Sequence, residues 1–110
     1  MATTYKVLAQ SNPSATTETT LYTVPGTTST IVSTISICNQ TGTAATYRIA
    51  IRPSADGTTL AKHYIVYGAT VGASDSIMLT IGVTLATGDK IQVYASTGNL
   101  SFSAFGSEIV

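Results

Sequence analysis

The stretch ATYRIAIRP, Ala45 to Pro53, reads with a period of two. Successive side chains of an extended chain point to opposite faces. Tyr47, Ile49 and Ile51 therefore line one side, and Thr46, Arg48, Ala50 and Arg52 line the other. One side is apolar and the other wet, the pattern of a strand with a single face on a core. Pro53 ends it, because proline has no N–H to give to a ladder. Two of the chain's five basic residues stand on the wet face. They lie about 13 Å apart along the strand, too far to grip one small anion together. A row of Arg48, Ala50 and Arg52 suits contact with another protein, where arginine is favoured, and it suits plain solubility equally well.

The same period runs outward in both directions. Strands are predicted near Tyr5–Gln10, Thr20–Val24, Thr30–Asn39, Thr46–Arg52, Lys62–Tyr67, Ser76–Ile81, Lys90–Ala95 and Leu100–Phe105. Apolar sets fall on common faces: Ile31, Ile35 and Ile37; Ile77, Leu79 and Ile81; Ile91 and Val93; Leu100, Phe102 and Ala104. Pro25-Gly26, the Asp56-Gly57 pair in SADGT and ATGDK at Ala86–Lys90 supply turn signals between them. NQTGT, Asn39–Thr43, reads as a hairpin connection. Ser11–Thr20 reads as a polar loop, and Ala69–Ser74 as the most loop-like interior segment. No window carries an i, i+3, i+4, i+7 apolar stripe, so no substantial helix is expected. About eight short strands at regular spacing define an all-β fold: one antiparallel β-sandwich, immunoglobulin-like or jelly-roll, spanning residues 1–110 as a single domain.

Composition narrows the chemistry. The chain has 110 residues with five Lys plus Arg against five Asp plus Glu. That balance argues against nucleic acid, which is held through clustered positive charge, and against an anionic membrane surface. The polar surface is instead made of hydroxyl, with 21 Thr and 12 Ser. A neutral surface of this kind resists association less than a charged one. The single cysteine, Cys38, excludes an internal disulfide and reads as an inert buried thiol at the end of an apolar run. No secretory signal is legible at the N-terminus, and the N-x-[ST] triplets at Asn39 and Asn99 read as chance matches.

Catalysis finds little to build on. The only histidine, His63, alternates with Ile65 and Tyr67 and reads as a packing or interface residue. An enzyme would need the fold to bring a carboxylate or serine beside it. Asp56 and Asp89 sit in turns next to glycine, where aspartate commonly bonds its own backbone. One Cys and one His do not make a structural zinc site, and no calcium or phosphate loop occurs. No catalytic residue, metal or cofactor is therefore expected. The six tyrosines and two phenylalanines leave one binding alternative: a carbohydrate-binding module on a host-recognition fibre, with Tyr64 or Tyr67 as the glycan contact. Strand parity places these two on opposite faces, so that only one joins a given patch.

The wording of the sequence carries a further expectation. KVLAQSNPSATTETTLYTVP, IVSTISICNQTGTAATYRIAIRP, KHYIVYGATV, LTIGVTLATGDKIQVYAS and NLSFSAFGSEIV follow one another in order. From Lys6 to Val110 the chain resembles a family of short β-rich virion structural proteins of tailed bacteriophages, frequent in phages of marine bacteria and cyanobacteria. It departs where the second strand ends VPG, one residue shorter than is usual in that family, which alters a turn and not a site. The resemblance implies a non-enzymatic particle component with no catalytic pattern to transfer. It would be a capsid decoration or knob protein, or a tail-associated one, made in the bacterial host cytoplasm and carried in the virion. Its partners would be capsid or tail subunits and further copies of itself, with neither nucleic acid nor membrane. Arg48 and Arg52, together with Phe105, Ile109 and Val110 in the apolar SAFGSEIV end, are the candidate protein-contact residues.

Overall fold

Alternating apolar side chains force each strand to find a partner layer, and the chain satisfies this by winding into two stacked sheets. The computed structural model describes residues 2–110. The elements are β1 (Thr3–Ser11), β2 (Thr19–Thr23), β3 (Ser29–Asn39), β4 (Ala45–Arg52), β5 (Tyr64–Val71), β6 (Ser76–Leu85), β7 (Lys90–Ala95) and β8 (Leu100–Ile109). A single 3-10 turn, Ala61–His63, precedes β5. One sheet has the order β1-β8-β3-β6 and the other β2-β7-β4-β5, with every neighbouring pair antiparallel. Strands pair 1 with 8, 2 with 7, 3 with 6 and 4 with 5, as in a long hairpin rolled up so that alternate pairs fall in opposite sheets. This is the jelly-roll winding of an eight-stranded sandwich, distinct from the immunoglobulin arrangement.

The core lies between the sheets. Val32, Ile35, Ile37, Leu100 and Phe102 come from one, and Tyr47, Ile49, Ile91 and Val93 from the other. Tyr47 and Phe102 meet edge to face with ring centroids 6.3 Å apart. Each fully buried aliphatic or aromatic side chain contributes roughly 1.5–3 kcal/mol relative to exposure. That is ample for a chain with no disulfide.

Several strands run longer than the sequence pattern suggests. β5 reaches Val71, so Ala69–Val71 are strand and only the next four residues form the loop; β6 reaches Leu85, and β8 reaches Ile109. Lys62, expected in a strand, lies in the 3-10 turn. NQTGT is not a hairpin: β3 and β4 belong to different sheets, so the segment crosses between them. Asn39 is buried there. Its side-chain amide donates to the carbonyls of Thr43 at 2.9 Å and Gly72 at 3.1 Å, while its oxygen accepts the Thr41 N–H at 3.1 Å.

Bulges overturn two assignments of face. In β3 the register shifts between Val32 and Thr34, so Val32 is buried and Ile31 points out to solvent, away from Ile35 and Ile37. The strand bends over Gly106, where a Cβ would collide with the Ile31 carbonyl. In β5 the register shifts twice, leaving Ile65 and Gly68 unpaired; Gly68 adopts φ +76°. An extra residue in a strand reverses the parity beyond it. Tyr64, opposite Ala50, and Tyr67, opposite Arg48, therefore share one face.

At one end of the sandwich the inward positions are polar. Lys6 Nζ lies 2.7 Å from Glu108 Oε1. Tyr22 reaches across from the other sheet, donates its hydroxyl to Glu108 and takes a bond from Thr30 at 2.8 Å. Burial, followed by the bond to Glu108, pushes the Tyr22 phenol up to about 12. The bonds from Lys6 and Tyr22 hold the Glu108 carboxyl below its ordinary value.

Candidate binding surfaces

The outer face of the β2-β7-β4-β5 sheet carries an aromatic ladder. Register sets Arg48 between Tyr94 of β7 and Tyr67 of β5. The guanidinium carbon lies 4.2 Å from the Tyr94 ring centroid and 4.3 Å from that of Tyr67. Each contact has the geometry of a cation–π pair. Tyr64 extends the row, its ring at 4.9 Å and nearly perpendicular to that of Tyr67. Beside these two rings is an open hollow of about 550 Å³, walled by Thr59, Leu60, Ala61, Tyr64 and Tyr67. Tyr67 remains 66% exposed. Among the described residues, Arg48 makes no hydrogen bond or ion pair.

Arg52, two strand repeats along, is engaged differently. Its Nη1 donates to Thr59 at 3.4 Å, and Thr59 donates to the Glu18 carboxylate at 2.7 Å. Gln92 Nε2 donates to the same oxygen at 2.8 Å. Burial raises the Glu18 pKa, but the bonds from Gln92 and Thr59 and the nearby Arg52 charge outweigh it, so the carboxyl titrates below its ordinary value. Arg52 Nε and Gln92 Oε1 are buried without a partner among the described residues. This network anchors the loop that walls the hollow. Both arginines lie on the outer face, but Arg52 is tied down by this network while Arg48 is left with its donors free.

The fold does bring an acid to the histidine. His63 Nε2 and Asp56 Oδ2 are 2.9 Å apart. The Leu60 N–H donates to Nδ1 at 2.9 Å, which requires that nitrogen to be unprotonated and places the proton on Nε2, donated to Asp56. Both ring nitrogens are used within the Pro53–His63 connection, and the side chain is 4% exposed. The imidazole has no nitrogen left for a substrate and does not line the hollow. It clips the loop instead. Among the described residues no three His, Cys, Asp or Glu side chains gather as a metal site would require.

The outer face of the β1-β8-β3-β6 sheet has a different chemistry. Its four strands contain only two charged residues, Lys6 and Glu108; Glu108 is largely covered, and Lys6, on the edge strand and still 43% exposed, pairs with it. What faces outward is serine and threonine with an apolar band: Tyr5, Val7, Ile31, Phe105 and Ile109, with Met78 further along. Tyr5 is 84% exposed. Cys38 also faces outward among serines and is half-buried rather than enclosed in the core.

The five candidate protein-contact residues therefore do not form one site. Phe105 and Ile109 belong to this uncharged face, with Val110 exposed just beyond the end of β8. Arg48 lies on the opposite side of the sandwich, and Arg52 is partly buried in its network. The SAFGSEIV end is not a free strand either, because β8 is paired on one side with β1 and on the other with β3. Tyr94, Tyr5, Val7, Ile31 and Met78 were not legible as surface residues of interest. Tyr94 and Met78 offer a signal, since each alternates with an apolar set, Ile91 and Val93 for the one and Ile77 and Leu79 for the other. No family model, curated protein or solved structure matches the chain.

Proposed function

We propose that this chain is a non-enzymatic structural module of a tailed-phage particle, a capsid decoration or tail-associated protein that acts by packing against other subunits and copies of itself. One observation carries the reading: the outer face of the β1-β8-β3-β6 sheet presents no charge and exposes Tyr5, Val7, Ile31 and Met78. Natural sheets guard exposed edges with charge. An uncharged face with large apolar side chains is the composition of an interface core, where aromatics and Met are enriched and Lys, Glu and Asp depleted. The molecule measures 45 × 28 × 19 Å, so a broad face offers more than the roughly 800 Å² per partner of a standard interface. The resemblance of the sequence to phage virion proteins points the same way, and jelly rolls serve viral capsids among other uses. Light scattering on the purified chain is expected to show an oligomer, and the chain is expected to rebind particles that lack it. A monomer that does not rebind overturns the proposal.

A second reading, a carbohydrate-binding module on a host-recognition fibre, is favoured by a separate observation: Tyr64 and Tyr67 stand on one exposed face beside a hollow. Aromatic rings on a sheet face pack against the C–H faces of sugars. Binding on a glycan array that is lost in Tyr67→Ala supports it; an array with no binding removes it.

A further inference from the structure

We infer that the ladder on the β2-β7-β4-β5 sheet is built for a saccharide bearing a carboxylate, with Arg48 as the residue that selects for the acid. The inference rests on the second reading above and adds to it a ligand class. Its basis is the state of the Arg48 side chain. Tyr67 and Tyr94 flank the guanidinium carbon at 4.3 and 4.2 Å, which fixes the group in place and shields it from water. Among the described residues nothing accepts its N–H groups; the carboxylates of Glu108 and Asp56 are taken by Lys6 and by the His63 N–H. A cation held in position with its donors uncommitted has already lost most of the side-chain entropy that binding would otherwise cost.

The chemistry of the acceptor follows from the chemistry of the donor. A guanidinium is planar and offers parallel N–H groups that match the two oxygens of a carboxylate. The strand faces of this sheet carry only cations, Arg48, Arg52 and Lys90. Arg52 is occupied with Thr59 beside Glu18, so of the two arginines Arg48 is the one without a partner, and it lies against Tyr67, which walls the hollow. The hollow supplies the rest of a sugar site: Tyr64, Tyr67 and Leu60 as an apolar wall, and the hydroxyls of Thr59 and the two tyrosines as partners for sugar hydroxyls. A pyranose seated against that wall places a carboxylate on its ring within reach of the guanidinium one residue position away across β4 and β5. The Glu18 carboxylate is held in its network and does not compete for Arg48.

The test uses an array of uronic-acid and sialic-acid oligosaccharides, each printed beside its methyl ester, which keeps the ring and removes the charge. The full chain is expected to bind one or more of the acids and to bind the matching ester roughly ten- to a hundredfold more weakly, the range expected for a charge-assisted hydrogen-bond pair. Arg48→Lys keeps a positive charge but loses the planar fork, and it is expected to abolish most of that preference while leaving the melting temperature unchanged. Tyr67→Ala is expected to lose acid and ester alike. Equal binding of acid and ester, or an acid preference that survives in Arg48→Gln, overturns the assignment of Arg48 and leaves the glycan reading standing. No binding of any acid or ester overturns this inference, and the glycan reading falls with it only if neutral glycans on the same array also fail to bind.

Discussion

The two outer faces of this sandwich arise from the same alternation of side chains and end with opposite chemistry. On the β1-β8-β3-β6 sheet the two charges pair with each other at the end of the core, Lys6 at the edge and Glu108 largely covered, so the face between the edges is hydroxyl and hydrocarbon. On the β2-β7-β4-β5 sheet every charge in a strand points outward, and the aromatics gather around one of them. The largely covered Glu108 carboxylate is tolerated on the first side because the partly exposed Lys6 and the Tyr22 hydroxyl, itself bonded to Thr30, satisfy it. The lesson is that surface character follows from where charge can be paired and not from overall composition. A neutral chain can hold one face fit for packing and one fit for recognition.

The largest test of this contrast concerns the backbone beneath the uncharged face. Gly106→Ala would press a Cβ into the Ile31 carbonyl at the β3 bulge. It is expected to cost about 3 kcal/mol, read as a lower urea midpoint. An unchanged midpoint would show that β3 and β8 are not so close and that Ile31 is not turned out by the bulge. Tyr22→Phe comes next. It removes the hydroxyl that joins Thr30 and Glu108 and is expected to cost about 1–2 kcal/mol.

This cluster and the Glu18 network on the other sheet together predict a pH profile. Glu108 and Glu18 have depressed folded values, so their contribution to stability is fully present above the unfolded value of 4.5 and is lost as pH falls through the lower folded values. Tyr22 has the opposite sign: its contribution is present below 10.0 and lost as pH rises toward about 12. Urea midpoints across pH should trace both limbs; burial also pushes the Tyr47 phenol up, so Tyr22→Phe should shrink the alkaline limb without abolishing it. If that limb persists unchanged, Tyr22 is not its source.

Smaller effects sharpen the comparison between the faces. Glu18→Gln leaves Arg52 without its counter-charge at an exposed site and is expected to cost about 0.5–1 kcal/mol in thermal unfolding. Smallest in folding energy is the pair Tyr5→Lys and Ile31→Lys, which together should change stability by about 0.5 kcal/mol or less. They should nevertheless shift light scattering from oligomer to monomer, because they put charge on the uncharged face. Thr70→Lys, on the opposite face, should leave the mass unchanged. An oligomer indifferent to the first pair would place the packing surface elsewhere.

Much of this architecture was open to reading from residues alone. A period of two in apolar side chains is a direct consequence of strand geometry, so the eight strands and most of the core, including Ile35, Ile37, Ile49, Ile91 and Phe102, follow from it. What a single inserted residue does was not open to reading. The bulges at Ser33 and Ile65 leave composition and spacing untouched, yet they expose Ile31 and bring Tyr64 beside Tyr67. Gly68 hints at a bulge after Tyr67, but nothing local marks Ile65. Nor does any local pattern tell NQTGT to cross between sheets, or bring Asp56 to His63, or set Tyr94 against Arg48.

Sequence by itself determined that the chain is a two-layered β fold with a dry centre, because alternation is a property of neighbouring residues. Only the tertiary structure decided the jelly-roll winding, the pairing of Lys6 with Glu108, and the assembly of Tyr64, Tyr67, Arg48 and Tyr94 into one row. Those depend on register between strands far apart in the chain, and register is settled by packing across the whole sandwich.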